Sequence, residues 1–244
     1  MDQARRKVAL VTGASRGVGA RVAELLGAAG CVVVVNYRSK QRRAEEVAAE
    51  VEKLGGQALC ARADLTDRDA VGTMLRQVSD AYGRLDLLIL NASGGLERAM
   101  PADYAMALNR DAQVGMLEAA LPLMSSGGQV VFVTSHMAHF HGRQPVLPVY
   151  EPVAVSKRAG EDALRSRIPQ LTKAGVRLVV VSGDLIDGTT TPRLMQRKVP
   201  GIIGARREMA GWLPTIDDFA RAIVAAADDQ ALASGDTVYV GSTA

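Results

Sequence analysis

The stretch Lys7-Val8-Ala9-Leu10-Val11-Thr12-Gly13-Ala14-Ser15-Arg16-Gly17-Val18-Gly19 decides the fold. Its first five residues read as an apolar strand, and the periodicity over 18–29 reads as a helix that Gly30 stops. Between them lies a turn with glycines at 13, 17 and 19. The spacing is not G-x-G-x-x-G, but the physics is shared. A tight turn carries backbone N–H groups and a helix N-terminus up to a pyrophosphate. Taken alone, such a motif is also compatible with an ordinary glycine-rich turn; its place between a first strand and a first helix favours the phosphate reading.

Outward from this turn, apolar runs alternate with helical periodicity to the end of the chain. The pattern predicts strands at 31–36, 57–61, 85–90, 129–134, 176–181 and 237–240, and helices at 42–54, 67–82, 104–124, 152–171 and 216–227. Strands that are apolar throughout expect cover on both faces. The alternation therefore predicts an α/β fold, a doubly wound (Rossmann), mostly parallel sheet with helices on both sides. No repeat, low-complexity tract or linker divides it, so one domain over 1–244 is expected. The irregular stretches 137–151 and 183–215 follow strands, which puts them over the carboxyl edge of the sheet, where ligands bind.

Composition excludes other classes. Of 244 residues, 48% are apolar and 23% charged, unlike a disordered, collagen-like or disulfide-framed chain. A net charge of +3 and 4% aromatic residues give no footprint for nucleic acid. The longest apolar runs are too short to span a bilayer, and the first ends at Thr12-Gly13, too early for an export signal; a cytoplasmic protein without a membrane partner is expected. Cys31 and Cys60 read as small buried thiols.

Six features in order resemble the short-chain dehydrogenase/reductase family over nearly the whole chain. They are the T-G-x3-G-x-G turn, Asp64-Leu65, Asn91-Ala92-Ser93, Asn109, Ser135 and Ser156-Lys157. The resemblance implies a nicotinamide cofactor held by Gly13, Ser15, Arg16, Gly17, Val18 and Gly19, with Asp64 and Leu65 at the adenine, Asn91, Ala92 and Ser93 along the adenosine ribose, Lys157 on the nicotinamide ribose, and Gly183 beyond the sixth strand. An acid ending the second strand would select NAD, whereas an Arg nearby suits the 2′-phosphate of NADP. Here the strand runs into Asn36-Tyr37-Arg38-Ser39-Lys40, and Arg16 sits in the glycine turn. NADP(H) is therefore expected, a guanidinium being the better phosphate fork.

The family's working set is Asn, Ser, Tyr and Lys, and the resemblance assigns Asn109, Ser135 and Lys157 to it. The tyrosine is displaced: four residues before Lys157 stands Val153, and the nearest tyrosine is Tyr150. Tyr150 follows Ser135 by fifteen residues, close to the usual separation, so extra residues between Tyr and Lys are expected. Pro152 fits the first helical position and pushes Glu151 toward extended backbone, leaving Tyr150 in a loop. Tyr150 is expected to donate the proton, with His136 or a water as the rival. His139 and His141 read as polar loop residues, and no metal is expected.

Three functions fit this sequence. The first is an NADP-dependent carbonyl or enone reductase with a rearranged site. The second is a non-redox reaction on the same fold, such as dehydration or cyclisation. The third is an NADP-sensing protein without turnover. The segment 184–215 is expected to cover a small-molecule carbonyl substrate. Its Arg193, Arg197, Lys198, Arg206 and Arg207 face only Glu208 between 191 and 214, which suits an anionic substrate or else a solvated helical face. Met195, Met209 and Trp212 read as lid lining or core. Two helices, 104–124 and 152–171, are expected to join copies into a homodimer or homotetramer.

Overall fold

The computed structural model describes residues 6–97, 100, 101 and 103–243; residues 1–5, part of the N-terminal stretch read above, lie outside it. Among the described residues, one sheet holds β1 (Val8–Val11), β2 (Val32–Tyr37), β3 (Gln57–Arg62), β4 (Leu85–Leu90), β5 (Met124–Ser135), β6 (Arg177–Gly183) and β7 (Thr237–Val240). Their order is β3-β2-β1-β4-β5-β6-β7, and each neighbouring pair is parallel. The chain winds outward from β1 to β3 and then crosses to β4 on β1's other side. That reversal opens a crevice at the carboxyl ends of β1 and β4, the usual place for a ligand in an open α/β sheet.

The helices are α1 (Gly17–Ala28), α2 (Gln41–Lys53), α3 (Arg68–Tyr82), α4 (Tyr104–Met106), α5 (Ala112–Ala120), α6 (His136–His139), α7 (Glu151–Arg165), α8 (Ile168–Lys173), α9 (Thr190–Lys198), α10 (Ile202–Ala210) and α11 (Ile216–Asp228). Alternate strand residues feed two cores. Val8 and Leu10 pack with α3, α5, α7 and α8, while Ala9 and Val11 pack with α1, α2 and α11. This two-sided burial is why the strands are apolar throughout rather than alternating. Leu88 in β4 is fully buried, and truncating such a leucine to alanine costs about 2–5 kcal/mol. A third cluster joins Tyr150 and Val153 to Met195, Ile202 and Leu213 from the segment above the sheet edge.

Local chemistry sets the helix ends. Asp67 starts α3 by accepting from the N–H groups of Asp69 and Ala70 at 3.0 and 3.1 Å, and Gly83, at φ +68°, ends it. Thr215 and Asp218 form a reciprocal capping box at α11.

Two expected long helices are interrupted. The first, expected over 104–124, is α4, a π-helical turn at Ala107–Asp111, α5 and a 3-10 turn at Leu121–Leu123; Met124 already belongs to β5. The wide turn lies where the backbone of Asn109 meets α7. A Cβ placed on Gly160 would stand 2.0 Å from the Asn109 carbonyl oxygen, so only glycine allows this approach. The second, expected over 152–171, divides before Pro169, which takes the first turn of α8 because a helix interior does not accommodate it. Glu151, expected to be extended, is the first residue of α7, and Pro152 occupies the first turn, where a missing N–H leaves no acceptor unpaired.

Candidate active site

A groove of about 360 Å³ runs along the carboxyl ends of β1, β2, β4 and β5. Its glycine turn is held from beneath. The Thr12 hydroxyl donates to the Ile89 carbonyl at 3.0 Å and accepts from the N–H groups of Asn91 and Ala92 at 2.9 and 3.0 Å. Asn36 accepts from the N–H of Gly13 at 3.1 Å, and its amide donates to the carbonyls of Ala61 and Ala63. Gly13 turns with φ +64°, and a Cβ on Gly19 would lie 2.5 Å from the Asn91 amide nitrogen. The strand ends thus support one another, and α1 begins at the groove wall.

Gly13, Ser15, Arg16, Gly17, Val18 and Gly19 line the groove, as do Arg38, Ser39, Asp64, Leu65, Asn91, Ala92 and Ser93. Gly183 is off the wall because it packs on Phe219, where a Cβ would come within 2.7 Å of the ring; Asp184 and Leu185 line the groove beyond it. Asp64 reaches the groove, yet one of its oxygens accepts from the N–H and hydroxyl of Thr66 at 3.0 and 2.8 Å, so it also shapes the turn before α3. The sequence reading missed Thr12 and Asn36 beneath the turn, and Glu97, Tyr104 and Met137 on the walls. A buried polar residue closing an apolar strand was the available signal for the first two.

At the other end of the groove stand Ser135, Tyr150 and Lys157. Ser135 ends β5 and caps α6, accepting from the N–H of Ala138 at 3.3 Å. Its oxygen is 3.0 Å from the phenol oxygen of Tyr150. Tyr150 is the residue before α7, fixed by its own N–H to the Leu147 carbonyl at 2.7 Å and by its carbonyl accepting from Val153 and Ala154, each at 2.9 Å. Seven helical residues turn about 700° and rise about 10 Å, so Tyr150, just before α7, lies near the face of Lys157 but about 10 Å from it along the axis, too far for the usual pair. Helical side chains lean toward the N-terminus, which tilts the long lysine back along that face. Val153, four residues before Lys157, is buried against the loop at Gly95.

Burial pushes the Lys157 ammonium down from 10.5 to about 8, opposed by the Glu161 carboxylate one turn further on. Burial raises the Tyr150 phenol, opposed by its hydrogen bond to Ser135. The tyrosine therefore holds its proton at neutral pH.

Asn109 is buried but does not line the groove. Its amide nitrogen donates to the Gly94 carbonyl at 2.8 Å and to the Ser156 hydroxyl at 2.9 Å, and its oxygen accepts from the N–H of Gly94 at 3.2 Å. It ties the loop after β4 to the helix that carries Lys157.

The histidines divide. His136 lies behind Ser135 with Nδ1 2.8 Å from the Ser182 hydroxyl; burial lowers it to about 4, and it does not line the groove. His139, expected in a polar loop, is buried on α6 instead. The four-residue helix folds it onto Glu161, 2.9 Å from Nδ1, while Nε2 is 2.9 Å from the Tyr239 hydroxyl. His141 is near the surface, 2.9 Å from Glu151.

The segment above the edge is anchored by charge. Arg206 of α10 grips Asp184 with both Nε and Nη2, at 2.9 Å each for the shorter contacts, and donates to the Ser242 carbonyl at 2.9 Å. Arg207 pairs with Asp187 at 2.8 Å. Two of the five cations counted in the sequence thus hold aspartates. Met195 is fully buried, whereas Met209 and Trp212 are 71% and 52% exposed and do not line the groove.

Residues 7–198 match the family model described as short chain dehydrogenase. The chain is 32% identical over 189 residues to 1-cyclohexenylcarbonyl-CoA reductase of Streptomyces collinus, which covers 75% of this chain and 66% of that protein. It is 33% identical over 191 residues to the hydroxynaphthalene reductase-like protein Arp2 of Metarhizium majus, covering 76% and 69%. The chain spans about two thirds of the length of these relatives. Among solved structures, the angucycline C-6 ketoreductase LanV with bound NADP superposes with a TM-score of 0.80 at 29% identity, covering 97% of this chain and 95% of that one. LanV with NADP and rabelomycin gives 0.77, with coverage of 96% and 94%.

Proposed function

The chain belongs to the short-chain dehydrogenase/reductase family, and on that premise we propose that it is an NADPH-dependent carbonyl reductase with Tyr150 as proton donor. One observation carries this reading: the Ser135 and Tyr150 hydroxyls meet at 3.0 Å in the same groove that Lys157 and the glycine turn line.

NADPH, when bound, supplies the hydride. The chain's residues do the rest. Ser135 holds the substrate oxygen by a hydrogen bond, and the protonated Tyr150 gives that oxygen its proton as charge develops there. The Ser135 hydroxyl then stabilises the phenolate, and Lys157 brings a positive charge to the cofactor's ribose side of the groove. Asn109 acts through position, by fixing the loop after β4 against α7. Arg16, Arg38, Ser39 and Lys40 line the adenosine end with no acid at 36–39, the chemistry that suits a 2′-phosphate.

Residues 1–244 are read as one domain, with 184–215 covering the substrate. Met137, Leu185, Ile186 and Pro192 give this end an apolar wall, suited to an extended apolar ketone; the two paired arginines lend less to an anionic one. LanV's crystallisation with rabelomycin supports a substrate of that kind. Homodimer or homotetramer formation through the segments 104–124 and 152–171, the second with Val155 exposed, completes the reading, and sedimentation as a monomer at micromolar concentration would remove that part.

The cofactor assignment is tested by Kd for NADPH and NADH, together with NADPH oxidation against a panel of ketones and quinones. Tighter NADPH and ketone-dependent oxidation are expected; equal or tighter NADH, or binding without turnover on any carbonyl, would overturn it.

A further inference from the structure

Arg38 and Tyr104 reach each other from opposite walls of the groove. Arg38 directly follows β2, and its carbonyl accepts from Nε of Arg62 at 3.3 Å, which pins its backbone to the end of β3. Tyr104 opens α4 on the far side. The Arg38 Nη1 donates to the Tyr104 hydroxyl, and the guanidinium carbon lies 5.8 Å from the centre of the Tyr104 ring. Both residues line the groove. An arginine on the rim of a groove is ordinarily a mobile cation; here a second side chain fixes it by a hydrogen bond and a ring contact at once.

We propose that Tyr104 is a positioning residue for cofactor selectivity, holding Arg38 as a preset fork for a ribose 2′-phosphate. The inference rests on the NADPH reading above and adds the residue that makes the arginine effective. Arg38 has five N–H donors, and the bond to Tyr104 uses one, so a bidentate pair remains for phosphate oxygens. Fixing the side chain before binding removes rotamer freedom that would otherwise be lost on binding. The Tyr104 hydroxyl accepts from Arg38 and so keeps its own proton to donate. Burial raises its pKa above the ordinary 10, with Arg38 opposing and the nearby Glu97 adding to the rise, so the proton is retained at neutral pH. Asp64 and Glu97 stand at the same end of the groove. Their negative charge would disfavour a phosphate facing a loosely held cation, so the alignment of Arg38 matters more.

Calorimetric titration of the whole chain with 2′,5′-ADP and with 5′-AMP separates the effects. The wild-type protein is expected to prefer 2′,5′-ADP. Tyr104→Phe keeps the ring and loses the hydroxyl. It should weaken 2′,5′-ADP by about tenfold or more, the size of one hydrogen bond to a charged group, while 5′-AMP stays within about twofold and reports an intact fold. In an Arg38→Ala background the same change should have no further effect, because the hydroxyl acts through the arginine. No preference in the wild type would refute the NADPH reading itself. A wild-type preference that survives Tyr104→Phe, an equal loss for both ligands, or additive losses with Arg38→Ala would overturn the role of Tyr104 and leave the NADPH reading standing.

Discussion

The hydroxyl of Tyr150 meets that of Ser135 at 3.0 Å, although Lys157 follows the tyrosine by seven residues. Seven residues at about 1.5 Å each separate the two by about 10 Å along the axis, while both line the same groove.

Lys157 carries its charge into a buried site, and the free protein's stability should show it. Its folded value is about 8 against an ordinary 10.5. Between these pH values the unfolded chain binds a proton that the folded chain does not, so stability rises with pH across that window. Below it the buried charge opposes folding by up to about 3 kcal/mol. Lys157→Met should raise stability at pH 7 in urea denaturation and flatten the slope between pH 8 and 10.5. Parallel curves for the two proteins would refute this.

Glu161 is fully buried between His139 and Arg165, at 2.9 and 2.8 Å. Burial alone would raise its carboxyl, but the bonds from His139 and Arg165 outweigh it and hold it below the ordinary 4.5. The stability this contributes is complete above the ordinary value and lost as pH falls toward the folded one. Glu161→Gln should destabilise at pH 7 by about 3 kcal/mol, the scale for breaking a buried pair, and should lose less than wild type on acidification. An unchanged acid limb counts against the pairing.

Arg206 anchors the segment above the groove through Asp184, whose side chain is only 5% exposed. Arg206→Met leaves that carboxylate without its cation, at a cost of about 3 kcal/mol. Amide exchange over 202–210 should quicken. Arg193→Met, at an exposed position of α9, should stay within about 0.5 kcal/mol. Equal effects of the two substitutions would show that Asp184 is not the anchor.

Strand positions were legible because burial on both faces writes continuous apolar runs, as in Leu85–Leu90. The glycine turn was legible because Gly13 and Gly19 answer to local backbone demands. What escaped the sequence depends on contacts between distant segments. The π-helical turn at Asn109 points a carbonyl at Gly160 too closely for any Cβ there, and helical periodicity carries no trace of that encounter. His139 looked solvated among polar neighbours until α6 brought it to Glu161, twenty-two residues on. Arg206 and Asp184, also twenty-two apart, read as one more charge in a basic run and one more departure after β6. In the candidate site, Ser135 and Lys157 were named from the family resemblance and Tyr150 from its separation from Ser135, and all three line the groove; Asn109, named from the same resemblance, stands behind it, bonded to Gly94 and Ser156.

The central claim is that the Tyr150 hydroxyl gives the proton, and turnover by Tyr150→Phe tests it most directly. With a ketone that the wild-type protein reduces, kcat should fall by roughly 10²–10⁴ while the Kd for NADPH stays within about twofold, since the ring and its packing remain. Near-normal kcat in Tyr150→Phe would contradict the account and return the proton donor to His136 or to water.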